Sequence, residues 1–589
     1  MRRERTDRLP EALRTLGSVA AGLLGFCLLA LAFRLELPVP TPAAVGGSLA
    51  AVLGAGLALR LRGSANEAEP WPSCGALSTL TAASTLMGLV AAYHLAAYAR
   101  LPADILSFSE SGFVNDILKF RLGLPIYTPP TDNNSSPYTP GAPILTYLIS
   151  RALGDGDSIP LFRVIQLSYV GLAAVVATGA CHLLARRFLS PAEYRQPARW
   201  IPVWFPFLFL AALDPRFNPY THSLHNDGLA LLVSVSAFWL IARHSISPRP
   251  WLLWVMAVLP ALGFLVKQNQ LMWGAVFAVY LLVAGQVARR TVGLFLLSSL
   301  AAAAAVVGIS YALWAEPFVY WVFAALGQKQ VALARSVLHL FWAGPYVVMA
   351  LFGGWALVLR NPARTSLALW LSWLLPFLAS VYTSGLVWVT NHLGPGVVIA
   401  TCWALVALAR AWPSPDPAWP RWQFRVKEAT VVSAMVLLAG SLGYVREPAN
   451  PVPPDFFRYV GDIEREFLGV SPDRVLLDYG SWIYLRENVL MRDRAVAVAI
   501  HVGKNQPRIS HAMLSETIRR IEAKTYDKIL ARQLDTGQTA YDFQNRGSGV
   551  KAAMLAHYRE IRRIPEVQGI REWWPKHLVS EILVLVPDR

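Results

Sequence analysis

Residues 251–288 read WLLWVMAVLPALGFLVKQNQLMWGAVFAVYLLVAGQVA, two apolar stretches on either side of Lys267. Each stretch approaches the ~20 apolar residues with which an α-helix crosses a bilayer. A charge between two such stretches is expensive unless it lies at the membrane surface or meets an anion. The pattern therefore predicts two membrane spans joined by a cation. That cation could bind a phosphate, or it could simply mark the boundary of the two spans.

The rest of the chain has the same character. Its 589 residues have a mean hydropathy of +0.41, with 55% hydrophobic and 15% charged residues, which is typical of a polytopic membrane protein. We predict a polytopic α-helical fold of roughly 13 spans. These spans lie near residues 15–33, 43–59, 76–99, 160–185, 200–213, 228–242, 251–266, 270–288, 292–314, 337–359, 366–384, 393–410 and 429–445.

Charge indicates the orientation, because Lys and Arg accumulate in cytoplasmic loops. The basic segment Met1–Arg14 predicts a cytoplasmic N-terminus followed by an uncleaved anchor. Alternation then leaves the loops with the unusual polar residues outside: 100–159, 214–227, 315–336 and 385–392. The +16 net charge is read as cytoplasmic arginine facing anionic lipid and not as a nucleic-acid signature. The expected location is a bacterial cytoplasmic (inner) membrane, although an endoplasmic reticulum protein would have the same geometry.

Two parts are predicted: a membrane module over 1–445 and a small α/β domain over 446–589, outside and tethered by Pro448–Pro454. Its strands are expected at Arg474–Asp478, Lys528–Leu530 and Glu581–Val586, and its helices at Met513–Lys524 and Gly549–Arg562. Such a domain could serve stability or assembly, or its loops near Asp478, Tyr479 and Trp482 could contact an acceptor.

Motifs for redox, zinc or nucleotide chemistry are missing from the sequence. The four cysteines have no metal or disulfide spacing, and there is no CxxC, HExxH or glycine-rich nucleotide fingerprint. If the chain is an enzyme, the energy for its reaction must already reside in the substrate.

The loop over 101–147 carries the candidate acids. Glu110 is expected to be solvated and ionised just beyond a membrane exit, either as a catalytic acid or as an ordinary loop acid. Asp116 is the second candidate, and could instead cap a short helix over Asn115–Phe120.

Other polar residues collect on the same side. Asp227 could bind a sugar or cap the helix that it begins. His222 and His225 precede it in a polar loop, where a metal site is the minority interpretation. Asn391 and His392 lie in an aromatic turn, and Tyr138 could shape its loop or stack on a sugar. The 315–336 segment is expected to be amphipathic, either bordering a lipid entrance or forming an ordinary aromatic belt.

Taken in order, these motifs resemble a known family, the GT-C fold glycosyltransferases, membrane enzymes that use polyprenyl-phosphate-linked sugars. The resemblance covers most of the chain and rests on the following set, completed by an outer α/β tail: Glu110, Gly123–Tyr127, Tyr138–Pro143, His225–Gly228, Lys267–Asn269 and Asn391–Leu393. The chain departs from the common pattern in two ways. Two hydrophobic segments precede the first large loop, and Ser111 stands where a second acid often follows.

The resemblance implies transfer of a sugar from a polyprenyl-phosphate donor to a hydroxyl of an envelope glycan, lipid or protein. It implies Glu110 as general base, with Asp116 as the alternative. It also implies donor-phosphate binding by Lys267, Asn391 and His392, and substrate binding by Tyr138, His222, His225 and Asp227. No cofactor is certain, and a divalent cation, Mg²⁺ or Mn²⁺, is possible. A lipid-linked sugar transporter or flippase, or an O-antigen-type ligase or polymerase, remains the alternative.

Overall fold

The structure is a computed structural model that describes residues 95, 98–105, 108–130, 134–190, 204–214, 217–325, 331–386, 390–411, 454–477, 480–490, 507–532, 549–567 and 581–588. Several predictions fall outside these residues: the spans near 15–33, 43–59 and 429–445, most of the span near 76–99, the cytoplasmic N-terminus, the tether, and the boundary at 445/446.

The first part of the described chain is helical. In order, its helices are α1 (Phe108–Arg121), α2 (Gly141–Ala152), α3 (Ile159–Phe188), α4 (Phe205–Leu213), α5 (Asp227–Ile246), α6 (Pro250–Val266), α7 (Met272–Ala284), α8 (Arg289–Val319), α9 (Leu333–Trp342), α10 (Gly344–Val348), α11 (Gly354–Arg360), α12 (Arg364–Ser384) and α13 (Gly394–Ala411). A 3₁₀ turn (Gln268–Leu271) precedes α7, and π turns follow α8 (Tyr320–Ala324) and α10 (Met349–Gly353).

Four helices among the described residues are long and apolar enough to cross a membrane: α3, α5, α12, and α8 with its π turn. The helices α6, α7 and α13 are apolar but shorter. These helices fit a membrane protein.

Local sequence explains several helix ends. Ser158 caps α3, with its hydroxyl accepting a hydrogen bond from the Leu161 amide at 3.2 Å. Pro250 stands in the first turn of α6, where a missing amide hydrogen costs nothing. Gly285 ends α7 with φ +62°, a left-handed conformation that glycine adopts without a Cβ clash.

Two expected segments differ from the structure. The span predicted near 337–359 is not one regular α-helix. A turn at Ala343 separates α9 from α10, and a π turn lies between α10 and α11. The outer loop predicted over 315–336 is helical at both ends, since α8 and its π turn continue to Ala324 and α9 starts at Leu333. Within α8 the backbone kinks at Ala315 (φ 52°), just before Pro317, so the helix continues in a new direction and does not stop.

The bundle has two chemically different ends. Small residues of α3, including Ala173 and Ala177, are fully buried and let α3 pack closely along α5. Beyond this core, Asn361 donates to the Arg187 carbonyl at 3.4 Å, and Gln286 donates to the Ser245 carbonyl at 3.2 Å. These contacts join the ends of α3 and α5 to the links before α12 and α8, where the arginines of the short loops lie. The starts of α3, α5 and α13 form the opposite, polar end.

The C-terminal part contains α14 (Pro454–Phe467), β1 (Val475–Leu477), α15 (Trp482–Glu487), α16 (Pro507–Glu522), β2 (Lys528–Arg532), α17 (Val550–His557), β3 (Tyr558–Ile564) and β4 (Ile582–Pro587). The sheet order is β1-β2-β4-β3, with β1 and β2 parallel and the other pairs antiparallel. Three strands coincide with the predicted ones. The helix expected over Gly549–Arg562 ends at His557, because the following residues pair with β4.

Candidate functional site

Asp227 is the centre of a buried charged cluster at the polar end. Its carboxylate accepts a hydrogen bond from the Lys267 ammonium through Oδ1 and one from the Asn391 amide through Oδ2 at 2.9 Å. His225 Nδ1 lies 3.0 Å from the same Oδ2. The start of α5, the end of α6 and the start of α13 supply these residues. Since all four side chains are buried, the ion pair stabilises two charges that neither partner could keep there alone.

Aromatic rings enclose this cluster. The Tyr138 ring meets the His225 ring edge-on at 5.3 Å between centroids, and the Lys267 ammonium lies 5.8 Å from the centre of the Tyr138 ring. Tyr220 packs on the other side of His225 at 4.7 Å. Burial raises the pKa of Tyr138 above its usual value, as does the charge of Asp227, so its hydroxyl remains protonated at neutral pH.

Backbone contacts hold the cluster in register. Asn226 donates to the Thr139 carbonyl at 3.0 Å and to the Val266 carbonyl at 2.8 Å. One amide therefore joins the start of α5 to the loop before α2 and to the end of α6. Asp227 and Lys267 are consequently held at fixed positions relative to each other and to the loop before α2.

Glu110 lies in a second cluster and differs from the expectation. It belongs to the first turn of α1 and is fully buried, whereas the sequence predicted a solvated loop acid. Arg163 contacts both of its carboxylate oxygens, at 3.0 and 2.7 Å. Tyr98 donates to it at 2.8 Å and the Leu224 amide at 3.1 Å. This bidentate guanidinium takes the place of the solvent that was expected around the Glu110 carboxylate.

His222 borders the Glu110 cluster and not the Asp227 cluster. Its ring lies edge-on to Tyr98 at 5.1 Å between centroids. Burial lowers the pKa of His222 to about 4, with Glu110 acting in the opposite direction and Arg163 lowering it further. The imidazole is therefore neutral at physiological pH. His222 and His225, three residues apart, thus have separate environments.

Asp116 lies on α1 beside a third set of contacts. Asn115 donates to the Asn134 side chain at 2.9 Å, and the buried Lys119 donates to the carbonyls of Ile126, at 2.9 Å, and Asn134. Asp116 itself is buried. Burial raises the pKa of Tyr127, and the negative charge of Asp116 raises it further.

Tyr127 links the Asp116 region to the Asp227 cluster. Its hydroxyl donates to the Tyr138 carbonyl at 2.8 Å. Its ring packs edge-on against Trp314 and Phe318 of α8, at 5.4 and 5.7 Å. Tyr127 and Tyr138 thus connect the loop after α1 to Lys267 of the Asp227 cluster.

The remaining polar residues of the predicted outer loops are His392 and Asp214. His392 is half-buried next to Asn391. Asp214, from the loop that suggested a metal site, is separate, with its carboxylate accepting a hydrogen bond from Tyr346 at 3.2 Å. Within the described ranges, no group of three His, Cys, Asp or Glu side chains is placed to hold a metal ion.

Two buried cations were not among the predicted site residues. Arg163 is a charge inside an expected span, and the rule that singled out Lys267 could have found it. Lys119 left no such signal, because it stands in a segment interpreted as a polar loop.

Comparison with solved structures finds resemblance over most of the chain. ArnT from Cupriavidus metallidurans bound to undecaprenyl phosphate matches with a TM-score of 0.49 and 13% identity, over 85% of this chain and 97% of that one. The apo oligosaccharyltransferase from Archaeoglobus fulgidus matches with a TM-score of 0.49 and 12% identity, over 88% and 77% of the respective chains.

Apo ArnT matches with a TM-score of 0.41 and 16% identity, over 75% of this chain and 80% of that one. No protein-family model matches the chain, and neither does any curated protein sequence. All three likenesses are at 16% identity or less and concern the course of the chain alone.

Proposed function

We propose that this protein is a membrane glycosyltransferase that moves a sugar from a polyprenyl-phosphate-linked donor to a hydroxyl of an envelope glycan, lipid or protein. The observation that carries the proposal is the buried Asp227–Lys267–Asn391 cluster, bordered by Tyr138 and His225. It combines a cation for a phosphate with amide, imidazole and aromatic groups suited to a sugar. It lies where apolar helices end, and a lipid-borne head group would arrive at that level.

The chemistry needs few protein groups. The bond between the anomeric carbon and the phosphate oxygen breaks, a bond from that carbon to the acceptor oxygen forms, and the hydroxyl proton passes to a carboxylate. Lys267 stabilises the departing phosphate. For this, the Lys267 ammonium must bind the phosphate and Asp227 at the same time. Asn391 and His392 orient the phosphate, and Tyr138, His222, His225 and Asp227 form the remaining substrate contacts. A divalent cation could assist through the carboxylates.

For the base, the contacts of Glu110 argue against that residue. Both oxygens of Glu110 already bind Arg163, and Tyr98 and the Leu224 amide donate to it as well. A carboxylate so occupied is a weak proton acceptor, since protonation would break a buried ion pair. Asp116 is the other acid of α1, six residues further along the helix. We therefore assign Asp116 as base and Glu110 as a residue that fixes α1.

The polar end faces the extracytoplasmic side in this proposal, because the opposite end carries the arginines of the short loops. A bacterial cytoplasmic membrane suits that orientation. The alternative of a transporter would move a lipid-linked sugar without forming a new glycosidic bond, so detection of the transferred product separates the two functions.

The test is transfer in vitro from defined polyprenyl-phosphate sugars by wild type, Asp116→Asn and Glu110→Gln. We expect Asp116→Asn to lower turnover by about 10²- to 10⁴-fold. Glu110→Gln should lower the melting temperature. The exposed Asp455→Asn, whose partner Arg458 is also exposed, is the matched control. Full turnover by Asp116→Asn would remove it as the base, and a wild type that forms no product from any donor would refute the proposed function.

A further inference from the structure

Helix α15 of the C-terminal part contacts both ends of α1, the helix that carries Glu110 and Asp116. At the first end, the carboxylate of Asp104 accepts hydrogen bonds from the backbone amides of Ser481 (2.8 Å) and Trp482 (2.9 Å). Asp104 is fully buried. Its carboxylate therefore binds a backbone segment that lies 377 residues later in the sequence.

Ser111 strengthens this junction one residue after Glu110. Its hydroxyl accepts a hydrogen bond from the Gly480 amide at 2.9 Å, and its carbonyl accepts one from the Ser481 hydroxyl at 3.1 Å. Gly480 has φ +111°, and a Cβ there would lie 2.8 Å from Ile105. The backbone before α15 thus approaches the start of α1 as closely as only glycine permits.

At the other end, Arg121 in the last turn of α1 reaches the end of α15. Its guanidinium donates to the Leu485 carbonyl and to the Asn488 side chain, the latter at 2.8 Å. It also pairs with Asp157. Between the two ends, Phe113 and Ile117 of α1 belong to the same buried apolar cluster as Ile483 and Leu485 of α15.

We propose that α15 acts as a bracket that sets the position of α1, with Asp104 as a positioning residue for the acids on that helix. This inference rests on the proposed function and adds to it a role for the C-terminal part. In this role the C-terminal part acts on the position of α1. It fixes the distance between the base on α1 and the Asp227–Lys267 pair, to which turnover is sensitive.

The test uses the full chain in detergent or nanodiscs, with Asp104→Leu, Asp104→Asn and Ser111→Ala, and with Asp455→Leu as the control. Hydrogen exchange of the amides of 108–121 is measured beside the kcat and the donor KM. We expect Asp104→Leu to speed exchange in α1 and to lower kcat by about 10- to 100-fold at an unchanged KM. Asp104→Asn keeps an acceptor oxygen and should restore much of kcat. Ser111→Ala should have a smaller effect in the same direction.

Unchanged exchange in α1 for Asp104→Leu, or for Ser111→Ala if Asp104→Leu does not fold, would overturn the bracket. Faster exchange with an unchanged kcat would overturn the positioning role. A wild type without transfer activity refutes the proposed function, and the positioning role with it, while the exchange measurement still decides whether α15 holds α1.

Discussion

Each of three buried cations at the polar end is matched by its own oxygen acceptors. Arg163 meets Glu110, Lys267 meets Asp227, and Lys119 meets two backbone carbonyls. Removing one member of such a set leaves the other buried without compensation, which costs more than the pair itself contributes. These residues therefore serve the fold as well as any reaction.

Lys267→Met should be strongly destabilising, because it leaves the Asp227 carboxylate buried without its cation. We expect a loss of about 3 to 5 kcal/mol in the free energy of unfolding. The double variant Lys267→Met with Asp227→Asn should lose less than the sum of the two single variants. Denaturant unfolding in detergent measures all three. Arg458→Met, from the exposed pair with Asp455, should lose under about 1 kcal/mol. Additive losses would show that the two charges do not interact.

His222 should make stability depend on pH in a definite direction. Its pKa in the fold is about 4, lowered from 6.5 mainly by burial, so between these values the unfolded chain binds the extra proton. The contribution of His222 to the free energy of unfolding is therefore fully present above pH 6.5. It decreases as the pH drops toward 4, by up to about 3 kcal/mol. Melting temperatures of wild type and His222→Gln over this range check it. Parallel curves for the two proteins would contradict the assignment.

The position of α2 depends on Gly141, because a Cβ there would lie 2.4 Å from the Leu265 carbonyl oxygen at the end of α6. Gly141→Ala should push α2, and Tyr138 just before it, away from Lys267. We expect about 1 to 3 kcal/mol of destabilisation and reduced transfer, measured by thermal unfolding and by product formation. Gly171→Ala within α3 has no atom within 4 Å of its Cβ and should be neutral or stabilising. Equal effects of the two changes would argue against the close approach.

What the sequence could predict of these elements follows from local physics. Lys267 could be identified as a site residue because a charge between two apolar segments is costly unless it has a partner. The ends of the flanking helices could be placed because the composition changes there. The environment of Glu110 could not be predicted, since Arg163 lies 53 positions away and only tertiary packing brings the two together. The kink in α8 was not predicted either, because the sequence indicated the end of a span near 314 and a separate amphipathic segment after it. Here the chain kinks at Ala315 and continues.

The described parts of the protein are arranged around one polar end. The bundle brings Asp227, Lys267 and Asn391 there from the start of α5, the residue after α6 and the turn before α13. The C-terminal part packs on α1 through a shared apolar cluster. Arginines gather at the other end. In the proposed orientation the two ends face different compartments, and the positive-inside rule places the arginine end in the cytoplasm.

Labelling of single cysteines tests that orientation in intact cells. In a background without the native cysteines, Leu153→Cys places an exposed thiol at the polar end, and Arg290→Cys places one at the arginine end. A membrane-impermeant maleimide should react with Leu153→Cys directly, and with Arg290→Cys only after the membrane is permeabilised. Leu153 lies just after α2, on the side of the Asp227–Lys267 cluster, so its reactivity reports the compartment in which transfer occurs. The reverse pattern would put the cluster in the cytoplasm, where the donor, the acceptor and the role of the arginine-rich loops would all have to be reassigned.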